Sequence, residues 1–194
     1  SIGEVLNPAL KTIIHIPHIM NSASSKDKYR EVHEILSFLG EYRGVEEDTG
    51  FHLIYNKDLK RTLKVADLVE DAPELRLRAQ AALRDTSDKD KVDIIIALNL
   101  AKEGFDWIWC EHALTVGYRG SLTEIIQIIG RATRDAPGKT KTQFTNLVPE
   151  PDATQDSVTS AVNDLLKAIS ASLLMHQVLA PKFKFRTKRV EDED

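Results

Sequence analysis

The stretch KVDIIIAL, residues 91–98, constrains the fold more than any other part of the chain. It is short, β-branched and continuously apolar at its centre, which suits a strand covered on both faces. TIIHI at 12–16 has the same character and is ended by Pro17. FHLIY (51–55), EHALTV (111–116) and TQFTNLV (142–148) also have strand composition. Helix patterns lie between them. In SSKDKYREVHEILSFLG (24–40), Val32, Ile35, Leu36 and Leu39 fall at i, i+3, i+4 and i+7, and Gly40 is placed to stop the helix. Residues 58–84 read as helical in one or two pieces, with Asp71 and Pro73 suited to starting the second. SLTEIIQIIGRATR (121–134) opens on a capping box from Ser121 to Glu124, and 155–177 reads as a terminal helix. Strands alternating with helices predict βαβ units, hence an α/β fold whose parallel sheet carries helices on both faces.

Composition narrows the function classes. A hydrophobic fraction of 42% and a charged fraction of 29% are those of a soluble globular chain. The formal charge of −4 argues against a globally basic nucleic-acid binder but leaves room for a local basic groove. A single cysteine, Cys110, excludes an internal disulfide framework. No signal-peptide pattern opens the chain and no apolar run approaches a membrane span, so the cytoplasm is the expected compartment, without a membrane partner.

In folds of this class ligands sit outside the carboxyl ends of the strands. Two places there are chemically unusual: the segment after strand 92–98 and the helix at 121–134. On that helix Leu122, Ile125, Ile126 and Ile129 share one stripe, which suits packing on the sheet. Gln127, Gly130, Arg131 and Arg134 form a second stripe rotated well away from the first. Gly130 costs a helix about 1 kcal/mol relative to alanine unless something must approach closely there. Two arginines alone would read as a solvated basic face, with Asp135 as a local partner. Joined by glutamine and glycine on one stripe, their planar guanidinium groups suit a phosphate chain.

QIIGRATR (127–134) resembles motif VI, Q-x-x-G-R-x-x-R, of superfamily 2 helicases and translocases. ALNLAKEGFDW (97–107) resembles their motif V, and TIIHIPHI (12–19) stands where motif IV would fall. The resemblance covers about residues 10–150 and is to the second of the two RecA-like domains of such motors, of the DEAD/DEAH-like kind. Beyond its reach, residues 151–180 read from their own pattern as a helical extension and 181–194 as a charged, flexible tail; the resemblance itself implies a RecA-like parallel sheet sandwiched by helices over 1–150. It also implies residue roles. Arg134 would be the arginine finger, Arg131 its companion on the phosphates, and Gln127 a contact near the nucleotide or the first domain. Gly104 would allow close backbone approach, and Gly130 would serve the same site. Asp106 would take the ribose hydroxyl or orient a motif VI arginine. Where many members carry threonine or serine, this chain has Leu98 and Asn99, leaving Asn99 or backbone N–H groups for a nucleic-acid phosphate. His18, and His15 with it, would lie where a nucleic-acid contact is possible.

PGKTK (137–141) invites a phosphate-loop reading, but the motif needs glycine at 133, where Thr133 stands, and a helix after it. A turn with Gly138 suffices. Neither another such loop nor a D-E-x-[HD] box for magnesium is present. Phosphoryl transfer needs a phosphate cradle, a metal and a positioned water. The expectation is therefore half of an ATP site, completed with Mg²⁺ by an N-terminal RecA-like domain of the same parent chain, and no efficient turnover by these residues alone. Nucleic acid, DNA rather than RNA, is the other expected partner. The alternative is a degenerate RecA-like scaffold that docks partners without turnover.

Three further features have bland readings. His15 and His18 flank Pro17 but lack cysteine or carboxylate partners at ligand spacing, so no metal site is expected there. Cys110 and His112 read as a structural thiol beside a strand histidine rather than as nucleophile and base. Trp107 and Trp109 suit base stacking or packing equally well.

Overall fold

The structure, a computed structural model, describes residues 2–16, 28–70, 72–98, 106–116 and 136–147, together with Gly130, Arg134 and, toward the C-terminus, 159–160, 163–164, 166–167, 169–171 and 174. A short helix α1 (Ile2–Val5) leads into β1 (Thr12–His15), α2 (Lys28–Leu39), β2 (Glu41–Val45), β3 (His52–Asn56) and β4 (Arg61–Asp67). Then follow α3 (Pro73–Ala82), β5 (Ile94–Ala97), β6 (His112–Val116) and β7 (Gln143–Leu147). The strands form one sheet in the order β2-β3-β4-β5-β1-β6-β7. From β4 to β7 every pairing is parallel. β2 and β3 are added antiparallel at the other side.

The continuous apolar runs are explained by the layers. Along β5, Ile95 and Ala97 enter one buried cluster with Phe51, Ala79 and Leu83, while Ile94 and Ile96 enter a second with Val32, Ile35 and Leu39. β1 divides in the same way, Ile13 to the first and Ile14 to the second. Residue-by-residue alternation thus feeds two cores, one under α3 and one under α2. This is the three-layer α/β architecture that the strand and helix alternation predicts. The described residues between 159 and 174 are helical, within the expected terminal helix.

Two stretches depart from expectation. Residues 61–67, read as helical, are strand β4. The chain turns back after β3 through residues 57–60, where Lys60 takes a left-handed φ of 52° and the Asn56 side chain accepts the Leu59 N–H at 2.9 Å. Once the hairpin is closed, Leu63 and Val65 fall on one face and are fully buried, which a helix could not offer them. The helical part begins only at Pro73, as expected, with Ala72 as the preceding residue. The second departure is β2, which its sequence conceals. EYRGV is an exposed, polar edge strand with a register shift between Tyr42 and Gly44. Gly40 joins it to α2 with no spacer: φ is 148°, and a Cβ there would sit 2.2 Å from the Tyr55 carbonyl oxygen. The Asn56 amide also donates to the Leu39 carbonyl at 2.7 Å, closing the helix end.

At the amino edge of the parallel strands lies a buried charge cluster. Asp93, just ahead of β5, accepts from Lys11 Nζ at 2.8 Å, Arg61 at 3.0 Å and the Lys64 N–H at 2.9 Å. Lys11 Nζ also donates to the Val92 carbonyl at 2.8 Å. Burial works against the Asp93 charge, but the Arg61, Lys11 and Lys64 hydrogen bonds outweigh it and hold the carboxyl below its ordinary value. A depressed folded pKa gives stability that is present above the unfolded value of about 3.9 and lost as pH falls through the folded one. Asp93→Asn leaves Lys11 buried without a counter-charge, an expected loss of about 3–5 kcal/mol. Urea unfolding at pH 7 should show that loss, and the variant should lack the Asp93 share of the fall in stability below about pH 4.

Candidate functional site

β5 ends at Ala97, and its chain returns to the described structure at Asp106. From there to β6 the backbone is held from several sides. Thr86 Oγ1 donates to the Asp106 carbonyl at 2.5 Å. Trp107 is buried in the cluster with Phe51 and Ile95, and its carbonyl accepts the Cys110 N–H at 3.3 Å. The Trp109 indole N–H reaches the Ser87 carbonyl at 3.1 Å, and Lys89 Nζ stands 5.8 Å from the Trp109 ring centroid. Both tryptophans are thus engaged in packing, and base stacking by Trp107 would require it to leave the core.

With its backbone fixed, Asp106 presents its carboxylate outward. Arg134 NH1 donates to Asp106 Oδ2 at 2.5 Å, with side-chain exposures of 55% and 53%. Lys139 lies behind the pair, donating to the Arg134 carbonyl at 2.6 Å and to the Ile108 carbonyl at 3.4 Å. One ammonium therefore ties the arginine segment to the loop that bears the aspartate. Gly138, with φ of 79°, and the Lys139 N–H bond to the Ala136 carbonyl make PGKTK a turn leading into β7, as its sequence suggests. Gly130 is helical and Arg134 is not, so the helix read over 121–134 ends before the second arginine. Among the described residues, nothing lies within 4 Å of where a Gly130 Cβ would be. Packing within the described structure does not demand glycine there.

Two of the residues singled out from sequence are thus brought into contact, Asp106 and Arg134, with Gly130 four positions before the arginine. Gln127, Arg131, Gly104, Asn99 and His18 lie outside the described residues. His15 ends β1 fully buried, so it offers no surface to nucleic acid in this conformation. Sequence reasoning does not find Thr86, because a threonine in the polar loop RDTSDKDK carries no local sign of a distant partner. Lys139 gives no sign of its partners in the sequence either, and its ammonium donates to the carbonyls of Arg134 and Ile108.

The exposed pair is worth little to the fold, of the order of 0–1 kcal/mol. An arginine so held can exchange its carboxylate for another anion at small cost. Cys110 and His112 are the opposite case. The Cys110 Sγ–H donates to the His112 carbonyl at 3.5 Å, and burial pushes the thiol up to about 12. His112 Nε2 meets Thr145 Oγ1 at 3.0 Å, and burial lowers its pKa from the ordinary value. Only the thiolate is nucleophilic, so this cysteine is a core residue. Iodoacetamide at pH 8 should leave Cys110 of the folded chain unmodified over a time in which the urea-unfolded chain reacts to completion. Equal rates in the two states would contradict its burial.

No family model matches the chain. Along its whole length the chain is similar to a protein of Bacillus subtilis (strain 168) named "Putative ATP-dependent helicase YeeB", with 55% identity over 193 residues. The match takes in 100% of this chain and 32% of that protein, so the chain spans about a third of the length of the curated relative.

Proposed function

We propose that this chain is the C-terminal motor domain of an ATP-dependent DNA (or RNA) helicase or translocase, supplying an arginine finger to an ATP site completed by a preceding RecA-like domain. The observation that carries the reading is the Asp106–Arg134 pair: a guanidinium poised at the surface, aimed by a fixed backbone, and held by an exchangeable partner. The motif V and motif VI resemblance and the name of the B. subtilis relative support the same direction.

In this reading Arg134 leaves Asp106 when ATP closes the cleft between the two domains, and donates to the γ-phosphate oxygens as negative charge builds there. Arg131 assists on the same phosphates, and Gln127 contacts the nucleotide surroundings or the first domain. Gly130 keeps the helix surface low, so that the other domain can approach. Gly104 lets the motif V backbone come close, and Asp106, released from Arg134, is free for a ribose hydroxyl. When bound, ATP with Mg²⁺ supplies the phosphoryl group whose transfer drives the cycle, with the magnesium ligands in the other domain. Asn99 and His18 would touch the nucleic-acid backbone. After hydrolysis Arg134 returns to Asp106, and opening of the cleft moves the two domains along the strand. Residues 1–150 are the RecA-like unit in this scheme, 151–180 a helical extension and 181–194 a charged tail.

The test is nucleic-acid-stimulated ATP hydrolysis by the full-length protein, wild type beside Arg134→Ala. Because Arg134 contributes little to the fold, the variant should keep the wild-type melting temperature and ATP binding while turnover falls by about 10³-fold or more. Unchanged turnover would remove the arginine-finger role and leave the scaffold reading in its place.

A further inference from the structure

We propose that His52, Asp67 and Glu70 form a binding site for one divalent transition-metal ion of the zinc class. His52 opens β3, Asp67 ends the neighbouring antiparallel β4, and Glu70 follows in the link toward α3. The hairpin therefore delivers a nitrogen donor and two carboxylates to one point at the carboxyl end of β4. One ligand atom from each residue lies within 4.8 Å of the other two.

The geometry fits ligation better than ion pairing alone. His52 Nε2 stands 3.8 Å from both Asp67 Oδ2 and Glu70 Oε2, too far for a hydrogen bond to either. It is close to the ligand-to-ligand edge of about 3.4 Å that a tetrahedral zinc ion with ordinary bond lengths implies. The two carboxylates are set for this. Asp67 accepts the Val69 N–H on Oδ1 at 2.8 Å, and Glu70 accepts the Ala72 N–H on Oε1 at 3.1 Å. Each keeps its second oxygen turned to the imidazole. Such backbone bonds orient metal-binding carboxylates and lower the cost of organising them.

His52 itself is the second observation. Its side chain is only 8% exposed, its Nδ1 is buried without a hydrogen-bond partner, and the Tyr42 ring tilts against it with centroids 5.8 Å apart. Nε2 faces the two carboxylates without a hydrogen bond to either, so it is the nitrogen left to accept an ion, with the ring proton on Nδ1. Glu70, at 27% exposure, is the open side of the cluster, leaving room for entry and for a water as fourth ligand. The ion would staple the β3–β4 hairpin to the chain entering α3. The site is separate from the arginine pair and does not rest on the ATP reading.

The test uses the full-length protein, stripped with EDTA and titrated with zinc chloride in the absence of nucleotide, wild type beside His52→Gln and Glu70→Gln. The readouts are zinc retained after desalting and the melting temperature with and without zinc. Wild type should retain an additional zinc per chain and melt higher with it. Either variant should lose at least about tenfold in zinc affinity and lose the added melting shift. Glu70→Gln, at the open side of the cluster, keeps the comparison valid if the buried His52→Gln fails to fold. Equal zinc retention and equal melting shifts in wild type and variants would overturn the proposal, reducing the cluster to a histidine between two carboxylates.

Discussion

The carboxylate of Asp93 is the point on which the sheet depends. It sits ahead of β5 and is bound by groups that start or flank the two strands paired to it, Lys11 before β1 and Arg61 with Lys64 in β4. A one-residue slip of either neighbour would separate a buried charge from its partners, while also turning every apolar side chain to the wrong core. Apolar packing makes the sheet stable, whereas this cluster makes its register single-valued. Because the cluster holds the amino edge, the carboxyl edge is left to carry loops with little structural duty. The Asp106–Arg134 pair and the His52 cluster both stand on loops and strand ends beyond that fixed frame.

How much of this is legible in the sequence depends on how far each residue is from what decides its conformation. KVDIIIAL and TIIHI announce themselves because burial on both faces leaves no polar position to interrupt the pattern. RTLKVAD does not. Its few apolar positions are interrupted by Arg61, Lys64 and Asp67, and only pairing with β3 and β5 makes it a strand. EYRGV is silent for a different reason: an edge strand exposes most of its side chains, so water erases the alternation that would mark it.

The candidate site divides along the same line. Asp106 and Arg134 are 28 residues apart and no periodicity connects them; the resemblance to helicase motifs does. That resemblance offers two partners for Asp106, and the ion pair is compatible with one of them without deciding between them. Thr86 and Lys139 escape because each acts on a backbone carbonyl, and carbonyls carry no residue identity. His52, Asp67 and Glu70 escape because the hairpin that unites them lies partly in the stretch that reads as helix.

Lys139 grips the carbonyl of residue 134, an atom that every amino acid possesses, and leaves the guanidinium to a partner that is itself half in water. The fold therefore has no means of noticing which side chain stands at 134. A cell's quality-control proteases, which sense unfolding, would pass a chain that has lost the arginine as readily as one that kept it. Such a protein would persist at full abundance, so any task that rests on the arginine would fail without a shortage of the protein.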